Sequence, residues 1–257
     1  MNTIAIGLLA SLLAGLGTGV GALPIFFLRD LSDRIQGILL GFGGGVMLAA
    51  TSFSLILPGT EAAVSQGYGD IGSALAIAAG LLIGGVLLGV VHNNFPHEHF
   101  FKGKEGPRQQ NLQRIWLFII AITLHNFPEG LAVGVGFGSE NISNGIALAT
   151  GIGLQNIPEG LVVALALRAL NYSLAYSFGV SLLTGLVEPI GGLLGVGVVS
   201  LAQSLLPWGM AFAAGAMLFV ISDEIIPETQ QKGVAQEGTF GVMVGFAVMM
   251  VLDIALG

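Results

Sequence analysis

Leu124-His125-Asn126-Phe127-Pro128-Glu129-Gly130-Leu131 and, thirty positions later, Leu154-Gln155-Asn156-Ile157-Pro158-Glu159-Gly160-Leu161 are two copies of one phrase. Each lies inside a long apolar run. Each plants a carboxylate there directly behind a proline, with Asn three residues before the Glu and His or Gln four before it. A charged side chain at the centre of a membrane helix costs ~2.5–3.5 kcal/mol on insertion scales, so such residues mark ion paths and their partners. Two of them in the same local setting predict an intramembrane metal site.

The composition fits a membrane setting. Of the 257 residues, 54% are hydrophobic and only 9% charged, and the mean hydropathy is +0.88; a soluble domain carries about 25% charge. Apolar segments near the ~20 residues that span a bilayer fall at 4–28, 36–58, 71–92, 115–138, 144–167, 174–199, 208–226 and 239–256. The expected fold is therefore an all-α integral membrane protein of eight transmembrane helices, a single transporter domain over 1–257. The longest polar connection is the His-rich 92–114.

All eight basic residues fall in odd-numbered connections: Arg29 and Arg34, then Lys102, Lys104, Arg108 and Arg114, then Arg168, then Lys232. The even connections carry Glu61, Asp70 and Glu140 and neither Lys nor Arg. By the positive-inside rule the odd connections are cytoplasmic and both termini lie outside, in a plasma membrane such as a bacterial inner membrane. The first basic residue follows the first apolar run, so that run does not read as a signal peptide. The absence of Cys excludes disulfides and thiolate ligands. No basic stripe suits nucleic acid, and the lipid bilayer and divalent metal ions are the expected partners. Gly43-Gly44-Gly45 lacks the Gly-Lys-Ser/Thr of a phosphate loop, so transport is expected to be gradient-driven. The 41 glycines recur four apart, as at Gly130/Gly134 and Gly241/Gly245, the spacing of close helix packing.

Residues three and four apart share a helix face. His125 and Glu129 are thus co-facial with Asn126 beside them, as are Gln155, Glu159 and Asn156. Pro128 and Pro158 each free a carbonyl one turn back, and irregular backbone at membrane depth must be buried in protein or line a wet cavity. The two spans are antiparallel, which can bring Glu129 and Glu159 face to face. Like charges so placed repel, and a divalent cation between them removes the conflict. Glu188, again before a proline, adds a third carboxylate; three charges fit one firmly held ion and a weaker second. Imidazole, carboxylate and carboxamide ligands suit Zn²⁺, Cd²⁺, Fe²⁺, Mn²⁺ or Co²⁺ better than Cu⁺. Helix-packing hydrogen bonds and a metal-free proton relay are the competing readings.

The paired His-Asn-x-Pro-Glu-Gly and Gln-Asn-x-Pro-Glu-Gly motifs, with Glu188-Pro189 in the next span, resemble the ZIP (Zrt/Irt-like) family of divalent metal transporters, its short bacterial branch most of all. The resemblance covers essentially the whole chain. It implies eight spans, outward termini and import of zinc or related metals. It implies one metal position at His125, Glu129, Gln155 and Glu159. A second would use Asn126, Glu129, Asn156, Glu159 and Glu188, both motif glutamates bridging. Gln155 stands where many members have His, and Asn156 where some have an acid, which weakens ligation. The resemblance also suggests that the second span lines the pathway, making Met47 an accessory ligand and placing Ser52 and Ser54 beside it. Glu224 resembles a position on the exit route. The histidines His92, His97 and His99 resemble the weak metal trap of such cytoplasmic loops.

Other polar residues carry two readings each. Asp223 is either a pathway residue or a solvated helix end, and Asp253 either an outer auxiliary site or the same; Met47 also suits plain packing. The fourth and fifth spans are expected at the centre, with spans 1–3 and 6–8 related by an inverted repeat on the logic of transporter folds. The oligomeric state stays open, a homodimer included. The leading function is transport of Zn²⁺, Cd²⁺ and related ions. A broad divalent channel or an iron or manganese carrier is the alternative. An intramembrane metallohydrolase is remote: His97-Glu98 has Phe101 where a second His would be required.

Overall fold

The computed structural model describes residues 2–28, 32–94, 97–99, 103–105, 114–139, 142–169, 172–230 and 235–256. Among these residues eleven α-helices follow one another: α1 (Thr3–Ala22), α2 (Asp33–Ala49), α3 (Leu57–Ser65), α4 (Gly69–Asn94), α5 (Arg114–Gly138), α6 (Ile142–Ala169), α7 (Leu174–Gly185), α8 (Glu188–Leu201), α9 (Leu206–Val220), α10 (Ile226–Thr229) and α11 (Ala235–Leu256). Local sequence sets several starts. The side chains of Asn2, Ser32 and Ser173 cap α1, α2 and α7 by accepting from backbone N–H groups that would otherwise lack partners. Pro58, Pro189, Pro207 and Pro227 sit in the first turns of α3, α8, α9 and α10, where a missing N–H costs nothing.

Among the described residues seven helical segments are long and apolar enough to cross a membrane: Thr3–Phe26, Asp33–Ser65, Gly69–His92, Ile142–Arg168, Leu174–Leu201, Gln203–Asp223 and Ala235–Ala255. The molecule is thus the all-helical membrane protein the hydropathy predicts, and these bounds fall within a few residues of the expected ones, the main exception being the second segment. That segment runs on to Ser65 as α2, a π-helical stretch Ala50–Ile56 and α3 without a break. α5 adds a further helix of 25 residues. Within 92–114 the polar connection contains a small hairpin not foreseen from hydropathy, β1 (His97–His99) antiparallel to β2 (Gly103–Glu105). Three-residue strands are too short to leave a periodicity signal.

The helices sort into two bundles by their contacts. α5 packs on α8, α1 packs on α6, α8, α5 and α7, and α6 packs on α7. Separately, α2 packs on α11, and α4 on α9, with α3 against both α4 and α9. The contacts joining the bundles are made chiefly by α5 on α9 and by α6 on α2 and α11, so the two motif helices form the seam.

Glycines explain the closeness inside each bundle. A side chain on Gly134 would strike the backbone of Gly192, one on Gly17 would come 2.6 Å from the Gly153 carbonyl, and one on Gly245 would strike Phe42. Small residues let backbones meet and gain dispersion energy where lipid offers no hydrophobic drive.

The second bundle contains a repeated local plan. A second π-helical stretch, Ile221–Ile225, precedes Ile226-Pro227 as Ala50–Ile56 precedes Leu57-Pro58. Gly80, Gly84 and His92 in α4 have the same spacing as Gly241, Gly245 and Asp253 in α11. A side chain on Gly84 would meet Phe212 just as one on Gly245 would meet Phe42. π-turns are rare and gather at functional sites. Nothing in the hydropathy marks them.

Candidate metal centre

The structure brings α5, α6, α1 and the α7–α8 break together around the duplicated motif. Glycine makes this possible: a Cβ on Gly130 would lie 2.6 Å from the Glu188 Cα, and one on Gly191 would sit 2.8 Å from the Leu131 nitrogen and against the Phe127 carbonyl. α8 therefore packs directly on the Pro128 turn of α5, and the backbone irregularity faces protein. The helix α7–α8 is interrupted at Leu186–Val187, so Glu188 stands in the first turn of α8, at the end of the helix dipole that favours an anion.

Asn126, Glu129, Gln155, Asn156 and Glu188 are all buried; Glu159 is partly so. Two carboxamide–carboxylate pairs tie the helices together. Gln155 Nε2 donates to Glu129 Oε1 across α6 and α5. Asn156 Nδ2 donates to Glu188 Oε1 at 2.6 Å and to the Ala14 carbonyl of α1 at 2.9 Å. The charges of Glu129, Glu159 and Glu188 act on one another. What remains is a set of acceptors with no protein donor: Glu129 Oε2, Glu188 Oε2, Gln155 Oε1, Asn156 Oδ1 and Asn126 Oδ1 are buried without a hydrogen-bond partner. Each such group costs about 1–3 kcal/mol. The amide N–H groups of Gln155 and Asn156 are spent on fixing the carboxylates, while Asn126 Nδ2 is buried without a partner like its Oδ1. The oxygens outnumber that one donor, and lone pairs at this density are what a cation requires.

Among the described residues no three His, Cys, Asp or Glu side chains cluster at metal-binding distances; the centre is a mixed carboxylate–carboxamide set. The side chain of His125 lies outside the described residues, although its backbone is in α5. Met47 is buried in a core cluster to which both bundles contribute, Ile152 of α6 and Met249 of α11 among them. Gly43, one turn before it, faces Gln155, whose Cβ would be 3.8 Å from a side chain there, so the Met47 face of α2 is turned toward α6.

The flanking candidates separate into two groups at opposite ends of the second bundle. Ser54 donates to Asp253 Oδ1 at 2.6 Å, and Asn144 Nδ2 donates to the Ser54 carbonyl at 3.0 Å. Ser52 instead donates to the Leu48 carbonyl in its own helix. At the other end His92 Nε2 lies 3.2 Å from Asp223 Oδ2, with its ring edge-on to Phe219. Asp253 and Asp223 thus each have a partner on another helix, unlike solvated helix ends. The side chains of Glu224, His97 and His99 lie outside the described residues. Sequence reasoning overlooked Asn144, whose only signal was a carboxamide at the start of an apolar span, and the Ala14 carbonyl, which has no signal in sequence.

Comparisons with known proteins place the chain in a family. A family model for the ZIP zinc transporter matches residues 92–253. The zinc transporter GufA of Myxococcus xanthus is 51% identical over 251 residues, covering 98% of this chain and 99% of its own length. The zinc transporter ZIPB of Bordetella bronchiseptica is 43% identical over 93% of this chain and 78% of its own. The human zinc transporter ZIP11 is 34% identical over 93% of this chain and 94% of its own. With a family model over most of its length and relatives matched from end to end, the chain belongs to the ZIP zinc transporter family.

Proposed function

We propose that this protein carries Zn²⁺ across a membrane into the cytoplasm, down its gradient, through the centre built from the two motifs. The observation that carries the reading is the group of buried acceptor oxygens on Asn126, Glu129, Gln155, Asn156 and Glu188, left without protein donors. A divalent cation offsets both the unsatisfied oxygens and the mutual repulsion of the carboxylates. Taken as a further span, α5 gives eight crossings in one domain. The segregation of Lys and Arg supports both termini lying outside, and the membrane in this reading is a bacterial inner membrane.

His125, Glu129, Gln155 and Glu159 form the primary position. Asn126, Asn156 and Glu188 with the two bridging glutamates form a second, weaker one. Oxygen and nitrogen ligands also admit Cd²⁺, Fe²⁺, Mn²⁺ and Co²⁺. Every one of these seven residues belongs to the α1/α5–α8 bundle, with Met47 the sole candidate from the other. The ion and its ligands can therefore move as one body against the α2–α4/α9–α11 bundle. Ser54–Asp253 and His92–Asp223 mark the outer and inner ends of the route. They are images of each other under an inverted repeat that relates α2–α4 to α9–α11, as the matching π-turns and glycine spacings support. The activity named for the relatives is transport, and no observation favours the metallohydrolase reading.

Metal analysis of purified protein tests this. The chain should retain between one and two zinc ions, and the double change Glu129→Ala with Glu159→Ala should abolish retention. Full zinc content in that variant would refute the assignment.

A further inference from the structure

Behind the metal centre, on the side of α5 away from the bound amides, lies a cavity of about 190 Å³. Its walls are Gly84, Leu87, Leu88 and Val91 of α4, Phe127, Pro128 and Leu131 of α5, and Phe212 and Ala216 of α9. None offers a polar side chain. A buried water needs two to four polar partners, and an apolar cavity of ~150 Å³ stays dry and takes up benzene or xenon. The space is therefore closed to water and large enough for hydrocarbon. It is not sealed: Leu87 at its rim is half exposed, on a helix whose neighbours Ile83, Val86 and Val90 are also exposed. In a membrane-spanning helix that face meets lipid chains, and the cavity lies level with Pro128, beside Glu129.

We propose that this cavity is a binding site for one hydrocarbon chain of a bilayer phospholipid, which acts as a wedge between the two bundles. One wall belongs to the bundle holding the motif and the other to its partner, so any relative movement must reshape the cavity. A chain seated there regains the dispersion contacts that an empty void loses. It does so most fully in the arrangement seen here, favouring that arrangement over others. The inference rests on the reading of the two bundles as moving parts, but the binding itself does not.

The test uses the full-length protein with Trp116 and Trp208 changed to Phe and a reporter introduced by Phe212→Trp, in vesicles of phosphatidylcholine brominated at mid-chain. The bromines should quench most of the reporter fluorescence. Adding Ala216→Leu on α9 or Val91→Phe on α4 should reduce that quenching several-fold by filling the space. The filled proteins should hold as much zinc as the parent and change its uptake rate several-fold. Absent quenching, or quenching untouched by both fillings, would overturn the lipid site. Lost quenching with unchanged uptake would overturn the wedge. Zinc content measured in the same samples keeps these outcomes apart from failure of the metal centre itself.

Discussion

Inside each bundle the helices meet backbone to backbone, with Gly15 against Gly185, Gly134 against Gly192 and Gly130 against Glu188 in one, and Gly45 against Val242, Gly41 against Gly238 and Gly215 against Leu81 in the other. Across the seam the described glycines face side chains instead: Gly151 looks at the Met249 sulfur and Val46, Gly209 at Val135, Gly43 at the Gln155 Cβ. Backbone contacts at van der Waals distance allow one register and no other. Side-chain contacts, with an adaptable thioether among them, can exchange at modest cost. The contrast locates rigidity within the bundles and compliance between them, and it puts the candidate metal centre's three glutamates on the rigid side.

Breaking the rigid seams should have the largest effect. Gly134→Ala or Gly45→Ala forces a Cβ into the backbone of Gly192 or Val242. Overpacking of this kind costs typically ~1–3 kcal/mol, and more where no flexible side chain can give. Thermal unfolding in detergent should shift down by several degrees, with loss of well-folded protein. An unchanged unfolding temperature for both would dissolve the distinction between the two kinds of seam.

Gln155 stands where the centre meets the seam, and removing it should come next in size. Gln155→Ala takes away the donor that orients Glu129 together with one free oxygen. Loss of such an orienting partner typically lowers metal affinity ~10–100-fold. Zinc titration of the purified variant should show that drop without a matching loss of stability.

The mildest change is Gly151→Ala. Its new methyl meets the end of the flexible Met249 side chain, so the unfolding temperature should hold within about a degree. Zinc uptake into vesicles should nevertheless change about 2–3-fold, because the seam that must slip has gained a methyl group. A collapse in stability comparable with Gly134→Ala would place this contact among the rigid ones.

Much of this was readable from residues. The duplicated Asn-x-Pro-Glu-Gly phrase pointed to the candidate centre, since a buried carboxylate is too costly to be incidental, and hydropathy located the spans to within a few residues. The partition into bundles was not readable. It depends on which glycine faces which backbone, and 41 glycines at helical spacing mark many faces without pairing them. The π-turns at Ala50–Ile56 and Ile221–Ile225 leave apolar periodicity almost unchanged, so they escaped notice. So did the partnership of Ser54 with Asp253, a contact across 199 residues. Ser52 and Ser54 looked alike in sequence, and only packing shows that one turns back on its own helix while the other crosses to α11.

Distances measured with and without zinc test the central claim most directly, and a chain without Cys accepts spin labels at chosen sites. Ile146 on α6, Leu194 on α8 and Ile254 on α11 are exposed positions. Labels at Ile146→Cys and Leu194→Cys lie within one bundle; labels at Ile146→Cys and Ile254→Cys straddle the seam. Electron–electron double resonance should give the first pair one distance distribution that zinc leaves unchanged, and the second pair a distribution that zinc shifts. If the distance within the bundle moved as much as the distance across it, the metal centre would not travel as a body and the account would fail.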